Sequence, residues 1–276
     1  MPRPAKPRRP HSDAADQFAA LSHEFRTPLN GVLGMSRLLE GTRLTAEQRA
    51  YAAAIRDSGE HLLTLVNDVL DFAKLGAGKV ELHPGEVEVA GLLRGVCELL
   101  SPRAREKGVE IAWAAPADLG AIRADEGRLR QILLNFAGNA VKFTETGGVL
   151  VSVARTDTGR LRFTVDDTGP GVSAAQQERI FEAFAQADPS HAHMGGAGLG
   201  LAIARRLALA MDGDVGVEDR EECGARFWFE AGFRPSATAT APSDMLADRM
   251  VGVVSANPIV RDAAAQQIAA CGGDAV

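Results

Sequence analysis

Several groups of residues in this sequence are spaced for chemistry. His23 is followed at once by Glu24, and one helical turn later by Thr27 and Pro28. A carboxylate beside an imidazole can hold one ring N–H and raise the nucleophilicity of the other nitrogen. Asn135, Asn139 and Lys142 are spaced by four and three, so on a helix they share one face. Two carboxamides and an ammonium there suit Mg²⁺ and phosphate oxygens, because Mg²⁺ prefers oxygen ligands and takes few from protein. Asp166-Asp167-Thr168-Gly169-Pro170-Gly171 follows an apolar strand, and its glycines let the backbone approach a flat ligand. Gly195-Gly196-Ala197-Gly198-Leu199-Gly200-Leu201 opens an apolar helix, where free N–H groups and the helix dipole can hold phosphate.

Two kinds of element must position these residues. Residues 12–40 and 45–75 have helical periodicity and are separated by Gly41-Thr42, with Thr45 as N-cap ahead of Glu47 and Gln48. Phe18, Leu21, Phe25, Leu29, Val32 and Leu39 form one stripe. Ile55, Leu62, Val66, Val69 and Ala73 form another, widened by Leu63 and Leu70. At helical pitch His23 falls roughly 140° from Phe18, away from that stripe and toward solvent, and Pro28 is expected to kink the helix just beyond it. One hairpin cannot enclose such stripes, so a homodimeric four-helix bundle is expected.

From about residue 80 the pattern changes to an α+β domain. Strands are expected at 109–114, 148–154, 160–166 and 225–231, and helices at 89–107, 125–142, 173–183 and 199–211. The organisation is then a basic, proline-rich lead over 1–11, a helical hairpin over 12–79 and an α+β domain over 80–234. A small, polar linker over 235–248 and a strand-helix segment over 249–276 complete it, with the strand at Met250 to Val254 and the helix at 258–271.

Composition narrows the class. The 276 residues are 46% hydrophobic and 24% charged, the balance of soluble globular protein. A net charge of −6 argues against a nucleic-acid or membrane-surface binder. Cys97, Cys223 and Cys271 are far apart without C-x-x-C, which suggests neither disulfides nor zinc and fits a cytoplasmic location. No apolar run reaches the roughly 18 residues a spanning helix needs. His191 and His193 lie in a polar stretch with Asp188 alone nearby, so they read as solvated loop residues rather than metal ligands. The glycine run opens as G-x-G-x-G from a loop, which is not the strand-adjacent G-x-G-x-x-G of dinucleotide folds.

Taken in order, these motifs resemble the sensor histidine kinases over about residues 12–233. Ser22-His23-Glu24-Phe25-Arg26-Thr27-Pro28-Leu29 resembles their H-box, and residues 125–144 resemble their N-box. Asp167 to Gly171 resembles the G1 box, and Gly196-Ala197-Gly198-Leu199-Gly200 the G2 box, with Ala197 in place of a usual threonine. Ile180 to Phe184 resembles the F-box, with Ala183 where proline is usual. The resemblance implies a dimeric helical domain joined to a Bergerat-type ATP-binding α/β sandwich. It implies ATP and Mg²⁺ as cofactors, His23 as phosphoacceptor with Glu24 beside it, and Thr27 as the residue for dephosphorylating a response regulator. It also implies Asn139 as Mg²⁺ ligand with Asn135 adjacent, Lys142 at the phosphates, Asp167 as acceptor for the adenine amino group, and Phe184 docking the lid. Related ATPases carry a carboxylate at the place of Asn135 to activate water. An amide cannot be that base, so the γ-phosphate should survive for transfer to His23 and then to an aspartate of a regulator.

Residues 249–276 resemble the opening of a receiver domain, as in hybrid kinases. Ser255-Ala256-Asn257 stands where a working receiver needs acidic Mg²⁺ ligands, and a phosphoacceptor aspartate would lie on a third strand beyond Val276. A degenerate receiver segment, mobile or leaning on the ATP-binding domain, is therefore expected.

Overall fold

The computed structural model describes residues 10–76, 81–185, 198–220, 223–236 and 245–276, with side chains from residue 25 onward. The chain divides into two compact units, Met1–Val80 and Glu81–Val276.

The first unit is a hairpin of α1 (Pro10–Glu40) and α2 (Ala46–Gly76), each within about two residues of its expected bounds. α1 continues as helix through Pro28. Thr45 starts α2 through a capping box: its Oγ1 accepts the Gln48 N–H at 3.2 Å, and Gln48 Oε1 accepts the Thr45 N–H at 3.0 Å. The helices touch where Leu33 meets Gly59, since a Cβ on Gly59 would lie 2.9 Å from Leu33 Cδ2. Beside it, the buried Ser36 hydroxyl donates to the Ala52 carbonyl at 2.7 Å. Phe25, Val32 and Leu39 on α1, and Ile55, Leu62 and Val69 on α2, recur every seven residues and remain exposed in the hairpin. These positions leave an apolar seam open on the hairpin, while Leu70 is buried and Leu29, Leu63, Val66 and Ala73 are half-buried.

The second unit is an α/β sandwich. In chain order it runs β1 (Gly85–Glu88), α3 (Val89–Glu106), β2 (Glu110–Ala114), β3 (Ala121–Ala124), α4 (Glu126–Phe143), β4 (Gly148–Arg155) and β5 (Leu161–Asp167). A 3₁₀ turn at Arg179–Phe181 precedes α5 (Gly200–Ala210), β6 (Asp214–Asp219), β7 (Ala225–Ala231) and β8 (Arg234–Pro235). The main sheet has the order β2-β4-β5-β7-β6, with β2 parallel to β4 and the remaining pairs antiparallel. β1, β3 and β8 form a separate small sheet. Val149, Val151, Phe163, Val165 and Phe229 are fully buried on the face that receives the helices, together with Leu93, Leu133, Phe136 and Ile203. Phe136 of α4 meets Phe227 of β7 with ring centroids 5.6 Å apart.

The last residues form β9 (Met250–Val251), α6 (Pro258–Ala270) and β10 (Asp274–Ala275), with β10 parallel to β9. α6 lies on the sheet face opposite the other helices, where Ile259 and Ala263 pack on Ala114 and Leu150. Asn257 Nδ2 donates to the Gly147 carbonyl at 3.0 Å and Gln267 Nε2 to the Trp113 carbonyl at 2.7 Å. The segment leans on the α/β unit.

Some sequence expectations need correction. Residues 173–183 do not make a helix; beyond turns, only Arg179–Phe181 is 3₁₀. The segment buries the adjacent pair Ile180 and Phe181, which do not share a helical stripe, and Phe184 then turns the chain at φ +63. β1, β3, β6 and β8 were not expected. Three of them are too short to show a period, and β6, with Gly216 and three acidic residues, is held by its register with β7 rather than by propensity. Pro235, assigned to the linker, pairs with Ile122 in β8. The strand expected from Met250 to Val254 extends only to Val251.

Candidate functional site

α4 supplies one wall. Asp125 caps it, with Oδ1 accepting the Arg128 N–H at 3.1 Å and Oδ2 accepting the His83 N–H at 2.9 Å. Its buried face is Leu129, Ile132, Leu133, Phe136, Ala137, Ala140 and Val141. That face fixes the rotation of the helix and leaves Asn135, Asn139 and Lys142 half-buried on its flank. Asn135 faces the start of α5, because a Cβ on Gly200 would lie 2.9 Å from Asn135 Oδ1. Lys142 Nζ sits 4.6 Å from the centre of the Phe143 ring. Burial, then the nearby charge of Arg103, pushes the Lys142 ammonium below its ordinary range.

The end of β5 supplies the floor. Strand alternation sends Asp166 and Asp167 to opposite faces, and their partners differ accordingly. Asp166 is held by Arg226 through two bonds of 2.6 and 2.7 Å. Asp167 turns toward the helices, and its Oδ1 accepts the N–H of Gly169 at 2.8 Å and of Ala225 at 3.2 Å. Arg220 Nη1 donates to the Asp167 carbonyl at 3.1 Å. Burial raises the Asp167 carboxyl above the usual range, opposed by those two N–H groups and by Arg220. Gly171, at φ +74, would bring a Cβ within 3.2 Å of the Gly224 carbonyl, a tight approach at a φ that favours glycine. Thr144, the C-cap of α4, is fully buried, and its Oγ1 has no hydrogen-bond partner among the described residues. It stands 3.4 Å from where a Cβ on Gly169 would be, beside the Asp167 turn.

The third wall joins Phe184 to α5. The Phe184 N–H donates to the Gly198 carbonyl at 3.0 Å, and Gly198 at φ +68 would place a Cβ 2.6 Å from the Ala185 carbonyl. Leu199 is buried as the N-cap of α5 and has no side-chain oxygen to cap the N–H groups that follow. Gly196, Ala197, His191 and His193 lie outside the described residues, as do the side chains of His23 and Glu24. Thr27 is exposed on α1, and its neighbour Arg26 donates to Asn67 Oδ1 on α2 at 2.8 Å. Among the described residues no three His, Cys, Asp or Glu cluster as metal ligands.

The fold therefore brings Asn135 to Gly200, Asp167 to Gly169, and Phe184 to Gly198. Sequence reasoning missed Thr144, Arg220, Gly224 and Ala225. Gly224, a lone glycine before a strand, was the one local signal among them.

Comparison with known proteins identifies the family. Residues 124–235 match the family of histidine kinase-, DNA gyrase B- and HSP90-like ATPases, and residues 14–78 match the His Kinase A (phospho-acceptor) domain. The chain belongs to the sensor histidine kinases. Sensory/regulatory protein RpfC of Xanthomonas campestris is 40% identical over 275 residues, covering 94% of this chain and 38% of RpfC. Signal transduction histidine-protein kinase BarA of Escherichia coli K12 is 38% identical over 249 residues, covering 87% of this chain and 27% of BarA. The chain thus spans less than half the length of these curated kinases. Full-length ShkA in complex with AMPPNP has a crystal structure that superposes with a TM-score of 0.82 at 60% identity, covering 95% of this chain and 55% of ShkA. No described helix of this kinase is long and apolar enough to cross a membrane.

Proposed function

We propose that this chain is the catalytic core of a cytoplasmic two-component kinase that uses ATP to phosphorylate His23 and then passes the phosphoryl group to an aspartate of a response regulator or receiver domain. The observation that carries this reading is Asn135, whose amide oxygen faces Gly200 at the N-terminus of α5. An amide there cannot deprotonate water, so γ-phosphate held at that helix end is kept for a protein nucleophile.

Each remaining residue has a part. Asp167 has Oδ1 engaged by two backbone N–H groups, which leaves Oδ2 to accept the adenine amino group. The N–H groups of Gly198, Leu199 and Gly200 meet the phosphates, with Gly196 ahead of them, and Lys142 adds a cation. Gly169 and Gly171 admit the base, and Phe184 joins the start of α5 through Gly198. Mg²⁺ fits the donor set: the neutral oxygens of Asn139 and, beside it, Asn135 are half-buried on one face and leave most coordination positions to phosphate and water. When bound, the ion offsets charge on the transferring phosphoryl group. At His23 one ring nitrogen attacks phosphorus while Glu24 holds the N–H of the other, and ADP leaves. Thr27 would position water against the regulator's phosphoaspartate.

The exposed seven-residue repeats on α1 and α2 support a homodimer through the hairpin. The β9-α6-β10 unit, with parallel strands, supports reading residues 249–276 as the opening of a receiver fold that lacks its acidic ligands.

Incubation with γ-labelled ATP and Mg²⁺ tests the proposal. Label should be acid-labile and alkali-stable, and His23→Gln should abolish it while nucleotide affinity is kept. Label that persists in that variant, or that mild alkali removes, would overturn the assignment.

A further inference from the structure

Lys107 lies outside the walls described above, yet it holds one of them in place. It is the C-cap residue of α3, and its own N–H bonds to the carbonyls of Ala104 and Arg105. Gly108, at φ +69, then turns the chain into β2. Its side chain crosses to the far end of α4. There Nζ donates to the carbonyls of Val141 at 2.9 Å, Lys142 at 2.7 Å and Thr144 at 2.7 Å. An ammonium has three donors, and all three are used.

The acceptors explain the arrangement. The last carbonyls of a helix have no partner within it, and they gather at the negative end of its dipole. In α4 the Thr144 N–H satisfies Ala140, and Lys107 satisfies Val141 and Lys142. The lysine is fixed at both ends, by the α3 cap and by the carbonyl cluster, so it acts as a strut. The turn it holds presents Lys142. Arg103 is close enough to both lysines to depress each ammonium further, after burial. Lys107, Lys142 and Arg103 thus lie near the end of α4 together with Glu145, and a rigid backbone there would keep Lys142 in register with a polyphosphate.

We propose that Lys107 is a positioning residue for the phosphates of ATP, acting through the C-terminal turn of α4 that it caps. The proposal rests on the reading of Lys142 as a phosphate contact. Lys107 touches no ligand itself. Its loss should weaken recognition of the phosphates and spare recognition of adenosine, whose amino group goes to Asp167 on β5.

Calorimetry on the full chain with Mg-ATP and with adenosine tests this in Lys107→Met, Lys107→Arg and Lys142→Met. Lys107→Met keeps the stem and removes the donors, so ATP should bind about tenfold more weakly while adenosine binds as before. Arginine keeps the charge but cannot converge three donors on one point, so it should recover part of the loss. Should the methionine variant not fold, the arginine variant carries the test through the same split. Equal weakening of ATP and adenosine, or no weakening of either, would overturn the proposal. If Lys142→Met weakens ATP and the Lys107 variants do not, the strut fails alone. If Lys142→Met leaves ATP binding unchanged, the reading of Lys142 fails, and the strut with it.

Discussion

Gly224 packs so closely on Asp167 that a Cβ on the glycine would stand 1.9 Å from the Asp167 carbonyl oxygen. Its φ of +91 also excludes most side chains. The turn from β6 into β7 can therefore deliver the Ala225 N–H to Asp167 Oδ1 only with glycine at this position. Gly224→Ala should push the turn off the carboxylate, cost about 2 kcal/mol or more in stability, and weaken ATP binding at least tenfold. Titration calorimetry and thermal unfolding of the same preparation would check both. An unchanged affinity would mean that the turn does not orient Asp167.

Asp167→Asn is a gentler change. The amide oxygen can still accept from Gly169 and Ala225, but the other atom becomes a donor facing the adenine amino group. ATP affinity should fall about a hundredfold, and the preference for ATP over GTP should shrink, since the guanine oxygen accepts where the adenine amino group donates. Parallel titrations with ATP and GTP would show it. A preserved ratio would place the base elsewhere.

On α2, Asp68 and Asp71 lie one turn apart. Burial, reinforced by the charge of Asp71, pushes the Asp68 carboxyl up from its ordinary value to about 6. The folded chain then holds this proton more tightly than the unfolded chain does. The resulting stability is fully present below about pH 4 and is lost as pH rises through about 6. Asp68→Asn should be more stable than the parent at pH 7, by about 1 kcal/mol after allowing for solvent screening, with the difference closing by pH 4. Unfolding midpoints of the two chains between pH 4 and 7 would test the sign, and a gap that widens on acidification would refute it.

Ile259 is fully buried between α6 and the sheet, and a Cβ on Gly148 would lie 3.1 Å from Ile259 Cβ. Ile259→Ala should cost about 2–4 kcal/mol. A short strand-helix unit cannot absorb that loss, so α6 should undock, releasing Asp262 from Arg220, 3.6 Å away. Hydrogen exchange should rise in residues 250–275 and remain slow in α4 and β5. A uniform rise across the α/β unit would show instead that the segment and the domain unfold together.

The parts legible in the sequence are those made by neighbours in the chain. The stripes of α1 and α2 follow from a 3.6-residue period, and the start of α2 from a capping box that closes within three residues. The face shared by Asn135, Asn139 and Lys142 follows from the same period. The glycines at 169, 171, 198 and 200 marked close approaches, and Gly169, Gly171 and Gly200 have their nearest neighbouring atoms at Cβ distances of 3.0, 3.2 and 2.9 Å. What remained hidden was made by residues far apart. Ala225 reaches Asp167 across 58 positions, Lys107 reaches α4 across 34 to 37, and Asn257 reaches Gly147 across 110. Neither Lys107 nor Ala225 differs locally from any other lysine or alanine at the end of an element. Their roles exist because β7 lies beside β5, α3 beside α4, and α6 on the free face of the sheet. Propensity and periodicity act over one or two turns, whereas strand order and layer packing minimise exposed apolar surface over the whole unit. The chemistry was therefore carried by local pattern, and the geometry that orients it by topology alone.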